Sequence, residues 1–304
     1  MKVDIVVIGN IVKETILFPD KEFGPVLGSP CAYTSVALAK EGNRVGMVTH
    51  YGPDLPADMK GELHLVDDKG MISYLYTTED HLIYRNEERN FVEYYKAAPV
   101  IQYDVIPAEY LKASTFFICP MDFDVNAEVC EYLYNMGKKV VVDLGGYGGT
   151  TSYNHFSIKT NRGRKLLDDL CRHSWIVKAS RDDLSYIMPG MSMEECAQYI
   201  ISRGPEYAVI TLGAQGAAYQ EKEGTIQYIE SYGDGNGKNV TGAGDVFVAG
   251  MLTVLLEKQG DMRYAVQFGN CAAFLAMQES GGCKESRIPS KSMVEMWLKK
   301  EQLQ

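Results

Sequence analysis

The chain has no long apolar run. Stretches such as "VDIVVIG" and "MLTVLL" fall far short of the roughly 20 residues that a membrane-spanning helix needs, so no helical span is expected. Near the N-terminus no apolar segment ends in a small-residue cleavage site, and a cytoplasmic location is therefore expected. The cysteines form no CxxC pair: the seven, at 31, 119, 130, 171, 196, 271 and 283, are odd in number and scattered, which favours reduced thiols over a disulfide frame or a zinc site. The five histidines show no HxxxH or HExxH spacing, which argues against a histidine-held metal. Positive charge is also short, with 30 basic against 40 acidic side chains and a net charge of -10. A nucleic-acid or anionic-membrane surface needs a concentrated positive field, and neither partner is expected.

What remains is an ordinary globular composition. With 304 residues, 46% of them hydrophobic, the chain can bury one large core or a core with a small appended unit. Short continuous apolar runs recur at Val3 to Gly9, Phe116 to Cys119, Lys139 to Leu144, Trp175 to Ser180 and Tyr207 to Gly213, as strands buried on both faces do. Between them lie segments of helical period, "AYTSVALAKEG", "NAEVCEYLYNMG", "GRKLLDDLCRHS" and "SMEECAQYIISRG", several ending at glycine. Alternating strands and helices predict an α/β fold with a mainly parallel sheet covered on both faces and ligands at the carboxyl ends of its strands.

One stretch departs from this order. Met71 to Ala98 alternates polar with aromatic or aliphatic residues, which predicts antiparallel strands with a turn near Arg85 to Arg89. Together with a strand near the start, roughly 12–26, the segment 71–98 is expected to build a small β lid on a single domain spanning 1–304.

The densest signal is "KNVTGAGDVFVAGML", Lys238 to Leu252. A lone glycine pair means little in a chain with 29 glycines, but the string Thr-Gly-Ala-Gly-Asp arises by chance in only about one chain in a few thousand. Small residues at Gly242, Ala243 and Gly244 let the backbone approach a ligand closely. The helix that follows should leave its first N–H groups unpaired, which makes an anion hole suited to a transferring phosphoryl group. Asp245 stands at the helix start. It either orients and deprotonates an acceptor hydroxyl, or only caps the helix. In the first role it is expected to be ionised with an ordinary pKa near 4.

"NVTGAGD" resembles the C-terminal signature D-[TP]-x-G-A-G-D of the ribokinase-like (PfkB) carbohydrate kinases. The segment "GSPCAYTSVALAKEGNRVGMVTHYGPD", Gly28 to Asp54, is similar to that family's N-terminal glycine-rich segment, and "TLGAQG", Thr211 to Gly216, to its nucleotide-side T-L-G-x-x-G. The resemblance covers essentially the whole chain and implies a three-layer α/β/α fold with a β lid. It further implies an ATP- and Mg2+-dependent kinase acting on a small sugar or polyol, with room for a monovalent cation and a homodimer through the lid sheet. Asp245 would be the base and Thr241 to Gly244 the anion hole. Thr211, Gly213 and Gly216 would lie along the nucleotide, with Asn270 near the adenine. Glu14, Gly28, Ser29 and Tyr33 would meet the acceptor, and Asp183 would organise magnesium through water.

Several positions depart from the family pattern. The first aspartate of the signature is Asn239, the N-x-x-E motif reads Ser180, Arg181, Asp182, Asp183, and the glycine pair is Gly28-Ser29. Tyr33 stands for the usual asparagine and Glu14 for the usual aspartate. Tyr33 is expected to offer a hydroxyl and a flat face to a ring-shaped polyol, and the form of Gly28 to Gly42 looks most like the branch with inositol and related polyol kinases. Two alternatives accompany this reading: a nucleoside kinase of the same fold, and a binding protein that keeps the fold without turnover.

Overall fold

The computed structural model describes residues 2–84, 91–233, 240–257, 261–279 and 281–301. In chain order its elements are β1 (Ile5–Ile8), β2 (Val12–Leu17), β3 (Glu22–Gly28), α1 (Pro30–Lys40), β4 (Val45–Tyr51), α2 (Ala57–Gly61), β5 (Asp67–Ser73), β6 (Thr78–Ile83) and β7 (Phe91–Lys96). They continue with β8 (Thr115–Ile118), α3 (Glu128–Asn135), β9 (Lys139–Asp143), α4 (Asn161–Arg172), β10 (Ile176–Ser180), α5 (Arg181–Ile187), α6 (Met193–Ile201) and β11 (Tyr207–Thr211). The last are β12 (Ala217–Glu221), β13 (Gln227–Ile229), α7 (Ala243–Leu256), α8 (Met262–Ala276) and α9 (Lys291–Glu301).

Nine strands form one sheet in the order β13-β12-β11-β10-β9-β8-β1-β4-β5. Every pairing from β11 to β5 is parallel, and only the β11–β12 and β12–β13 pairings at one edge are antiparallel. All four residues of β1 are buried. Ile5 and Val7 point into the core shared with α1, α7, α8 and α9, while Val6 and Ile8 point into the core shared with α3, α4, α5 and α6. Two apolar faces explain why the central strands read as unbroken apolar runs rather than alternating ones. The three-layer arrangement expected from the sequence is present. Among the described residues no helix is long and apolar enough to cross a membrane.

A second sheet has four strands in the order β3-β2-β6-β7. Its make-up corrects the expected lid boundaries, because Met71 to Ser73 belong to β5 and pair in parallel with β4 in the main sheet. The second sheet therefore takes only 78–83 and 91–96 from that stretch, plus β2 and β3 from the start of the chain. The alternation there could not tell an edge strand of the large sheet from the first strand of the small one, since both are half-buried. The β6–β7 pair is antiparallel, as expected; the turn placed at Arg85 to Arg89 lies outside the described residues. In β2 the pattern of burial alternates strictly, so that Val12, Glu14 and Ile16 face inward.

Candidate active site

The carboxyl ends of the parallel strands, the inner face of the small sheet and the start of α7 enclose a cleft of about 490 Å3. Strands β8 to β11 each deliver residues to it from their ends: Pro120 and Met121, Asp143, Lys178 and Ser180, Thr211. This is where an open parallel sheet places its ligands.

At the centre, Gly242 caps α7 in the left-handed region, at φ 77°. A Cβ there would fall 2.4 Å from the Tyr33 ring, so both conformation and space demand glycine. The amides that follow are less free than the sequence suggests. Ala243 N–H donates to the Val240 carbonyl and Asp245 N–H to the Gly242 carbonyl, each at 3.1 Å, which leaves the Gly244 N–H without a partner among the described residues. A second positive group compensates. Lys178 Nζ lies beside this turn, where a Cβ on Gly244 would be 3.7 Å away, and it donates to Asp143 Oδ2 at 2.8 Å. Burial alone would push the Lys178 ammonium down, but Asp143, Asp183 and Asp245 outweigh it and hold the group protonated.

Asp245 occupies the third position of α7 and makes no side-chain cap, which disposes of the bland capping role. It is also not an ordinary ionised carboxylate. Burial pushes its pKa up to about 7; Lys178 pulls it down, and Asp143 and Asp183 add to the rise. The expected value near 4 is wrong because desolvation disfavours the charged form more than the helix start favours it.

The other residues singled out from sequence are distributed as follows. Thr241, Ala243 and Gly244 line the cleft beside Asp245, and Thr211, Gly213, Gly216 and Asn270 line its far end with Tyr232, Phe274 and Met277. Asn270 Nδ2 donates to the Ile229 and Glu230 carbonyls, tying α8 to the end of β13. Glu14, Ser29 and Tyr33 line the opposite end. Ser29 caps α1 by accepting from Ala32 N–H. Gly28 does not reach the cleft: it lies behind Glu14, where a Cβ would come within 2.8 Å of the Glu14 Cβ.

Tyr33 is held by its neighbours: its ring backs Gly242, and its hydroxyl accepts from Arg287 Nη1 at 3.2 Å. Asp183 is likewise engaged. It closes a capping box with Ser180 at the start of α5, and its Oδ1 accepts from Thr150 N–H and Oγ1 at 2.8 and 2.6 Å. A buried carboxylate held this way is no solvated acid, and any approach to magnesium would run through water. Asn239 lies outside the described residues.

Sequence reasoning missed Lys178, Asp143, Arg287 and Tyr84. Lys178 carried a signal, since a lysine inside the apolar run "WIVKAS" has to be either at an edge or paired. Arg287 is buried and donates to the carbonyls of Thr241, Ala276 and Gly281; nothing local in the sequence marks it. Tyr84, just past β6, places its hydroxyl 2.8 Å from Thr241 Oγ1, joining the small sheet to the turn.

Several buried acids share Asp245's direction. Burial raises Glu14 to about 7, Glu41 to about 8 and Asp124 to about 6. The folded protein then holds protons that the unfolded chain has lost, so this stability is complete below about pH 4 and lost as pH rises through about 6 to 8. His50 is lowered by burial and acts in the opposite sense, against these acids and against Asp80 and Asp143, which burial raises as well. The ligand-free protein is expected to melt several degrees higher at pH 5.5 than at pH 8.5, and Glu41→Gln, outside the cleft, should flatten that slope. A melting temperature that rises with pH over this range would contradict the assignment.

The fold and the cleft describe an α/β protein with a glycine-lined helix start and a carboxyl beside it at the ends of parallel strands. The match to the pfkB family carbohydrate kinases covers residues 34–289, and the chain belongs to that family. A cytidine kinase from Thermococcus kodakarensis is 27% identical over 82% of this chain and 87% of its own length. Arabidopsis thaliana ribokinase, solved with ribose and ATP, superposes with a TM-score of 0.76 at 18% identity, covering 98% of this chain and 99% of the other. A pyrophosphate-dependent kinase of the ribokinase family, solved with a pyrophosphate analogue and myo-inositol, gives 0.74 at 15% identity, covering 93% and 98%.

Proposed function

We propose that this protein transfers the terminal phosphoryl group of ATP to a hydroxyl of a sugar or cyclic polyol. The observation that carries the reading is the meeting of Asp245, the Gly244 N–H and the Lys178 ammonium at one helix start, in a cleft open to two ligands. The donor lies along Thr211 to Gly216, with its ring against Tyr232, Phe274 and Met277. The acceptor lies under the small sheet, which serves as a lid, against Glu14 and Ser29. Asp245 in its ionised form takes the acceptor hydroxyl's proton as that oxygen bonds to phosphorus; the bond from phosphorus to the leaving ADP oxygen breaks, and the electron pair stays with ADP. Gly244 N–H and Lys178 receive the charge on the transferring group, which in a loose transition state matters more than early removal of the proton.

Among the described residues no three acids or histidines gather as a metal cage, and Asp143 and Asp183 already have protein partners. These residues fit a magnesium ion carried by the donor's phosphates, with Asp183 reached through water; when bound, it would neutralise phosphate charge. The retained Asp245 speaks against a binding protein without turnover. The cytidine kinase relative supports a second reading, a nucleoside acceptor. ADP release from ATP and magnesium across a panel of sugars, inositols and nucleosides tests both. Release with a sugar or inositol supports the first reading, release with nucleosides alone supports the second, and silence across the panel overturns both.

A further inference from the structure

Behind Glu14 lies an acidic residue that phosphoryl transfer itself does not use. Glu14 on β2 and Asp80 on β6 are partners in a parallel pairing, so their side chains stand side by side on the inner face of the small sheet. Asp80 is fully buried and Glu14 is 4% exposed. Neither oxygen of Asp80 has a hydrogen-bond partner among the described residues, nor does Glu14 Oε2, although Glu14 lines the cleft. Two adjacent carboxyls withdrawn from water with unfilled acceptor sites are costly unless something supplies protons or positive charge.

Protons taken up from water supply part of it, since burial raises both carboxyls, and the Arg287 charge favours an ionised Glu14. Among the described residues, however, the surrounding side chains offer no donor to the open oxygens. Asp245 faces Glu14 from α7 and adds negative charge, while Tyr33, Tyr84 and Tyr94 are neutral phenols there. Arg287 is the nearby cation, and its guanidinium donates to the Ala276, Gly281 and Thr241 carbonyls and the Tyr33 hydroxyl. Lys178 is held by Asp143 across the cleft. The acceptor end is thus rich in acceptors and short of donors. A neutral polyol fills hydrogen bonds there, whereas an ammonium group fills them and balances charge, and hydrogen bonds to charged groups are the stronger ones.

We infer that the acceptor carries a basic nitrogen, as in an amino sugar or aminocyclitol, with its ammonium against Glu14 as counter-charge and Asp80 buried behind it. This rests on the kinase reading and narrows it. The ammonium is held and not phosphorylated: with its lone pair in an N–H bond it is no nucleophile, and a hydroxyl of the same ring faces Asp245. Asp80, sealed from the cleft, acts as a positioning residue through Glu14.

The test compares matched acceptors on the intact protein: 2-amino-2-deoxy-D-glucose against D-glucose, and an amino-deoxy-inositol against myo-inositol, by ADP release with ATP and magnesium. At least one amino compound should exceed its neutral partner by about 10-fold or more in kcat/KM, mostly through KM, as one charge-assisted contact implies. In Asp80→Asn that ratio should fall to about 3-fold or less. Equal or better use of both neutral partners overturns the inference and leaves the kinase reading standing, as does an amino preference that Asp80→Asn leaves intact. Absence of ADP release with every acceptor tried overturns the kinase reading itself. If Asp80→Asn does not fold, the wild-type ratios decide alone, with N-acetylation of the amino compound expected to abolish its advantage.

Discussion

Asp245→Asn should lower kcat by about 10²- to 10⁴-fold, the span that a positioned general base commands, while nucleotide affinity changes little. The substitution keeps the shape of the side chain and removes its capacity to take a proton. Two further signatures separate a base from a merely structural carboxyl. With a folded pKa of about 7, the wild-type rate should rise with pH through neutrality as the carboxyl loses its proton, and the variant's residual rate should lack that limb. The variant should also melt no lower than wild type at pH 8, since a neutral amide replaces a carboxylate whose burial is unfavourable when charged. A drop in kcat below about 10-fold with an unchanged pH profile would remove Asp245 from the chemistry.

Lys178→Met is expected to be the most destabilising single change in the cleft. It leaves Asp143 buried and unpaired, and breaking such a pair costs about 3–5 kcal/mol, read as a lowered urea midpoint. Turnover should also fall by about 10²- to 10³-fold through loss of positive charge at the transferring group. The two effects come apart in Lys178→Met with Asp143→Leu. That double variant should regain most of the stability and little of the turnover. Recovery of turnover would mean that Lys178 only neutralises Asp143 and never acts on the phosphate.

The sequence carries the layered architecture well because the periodicities behind it are local. Each central strand shows an apolar run, and α3, α4 and α6 each show an apolar stripe, and the structure sets them almost where the residues suggest. Met71 to Ser73 was ambiguous for a physical reason, since a half-buried strand has the same alternation whichever sheet it joins. The site was legible where one short segment builds it, as in Thr241 to Asp245. It was opaque where distant segments meet. Arg287 reaches the Thr241 carbonyl from 46 residues away, and Asp80 comes to Glu14 only through strand pairing. The charge state of Asp245 was equally hidden, because burial is a property of the assembled fold rather than of a motif.

The order of strands in the main sheet also governs when the cleft can exist during synthesis. Strand β1 leaves the ribosome before both of its neighbours, β4 and β8, with Ile5 registered against Val45 on one side and Thr115 on the other. The residues of β1 must therefore wait until Thr115 has been made before both edges are paired, and closing so long a loop delays folding. The neighbouring β2–β3 pair, by contrast, joins residues close in sequence and needs no such wait. Nascent chains halted before Thr115 should expose β1 as an unpaired apolar edge, the feature that chaperones and aggregating partners both recognise. Arrest a little beyond Asp143 should bury it, well before the Asp245 turn has been made.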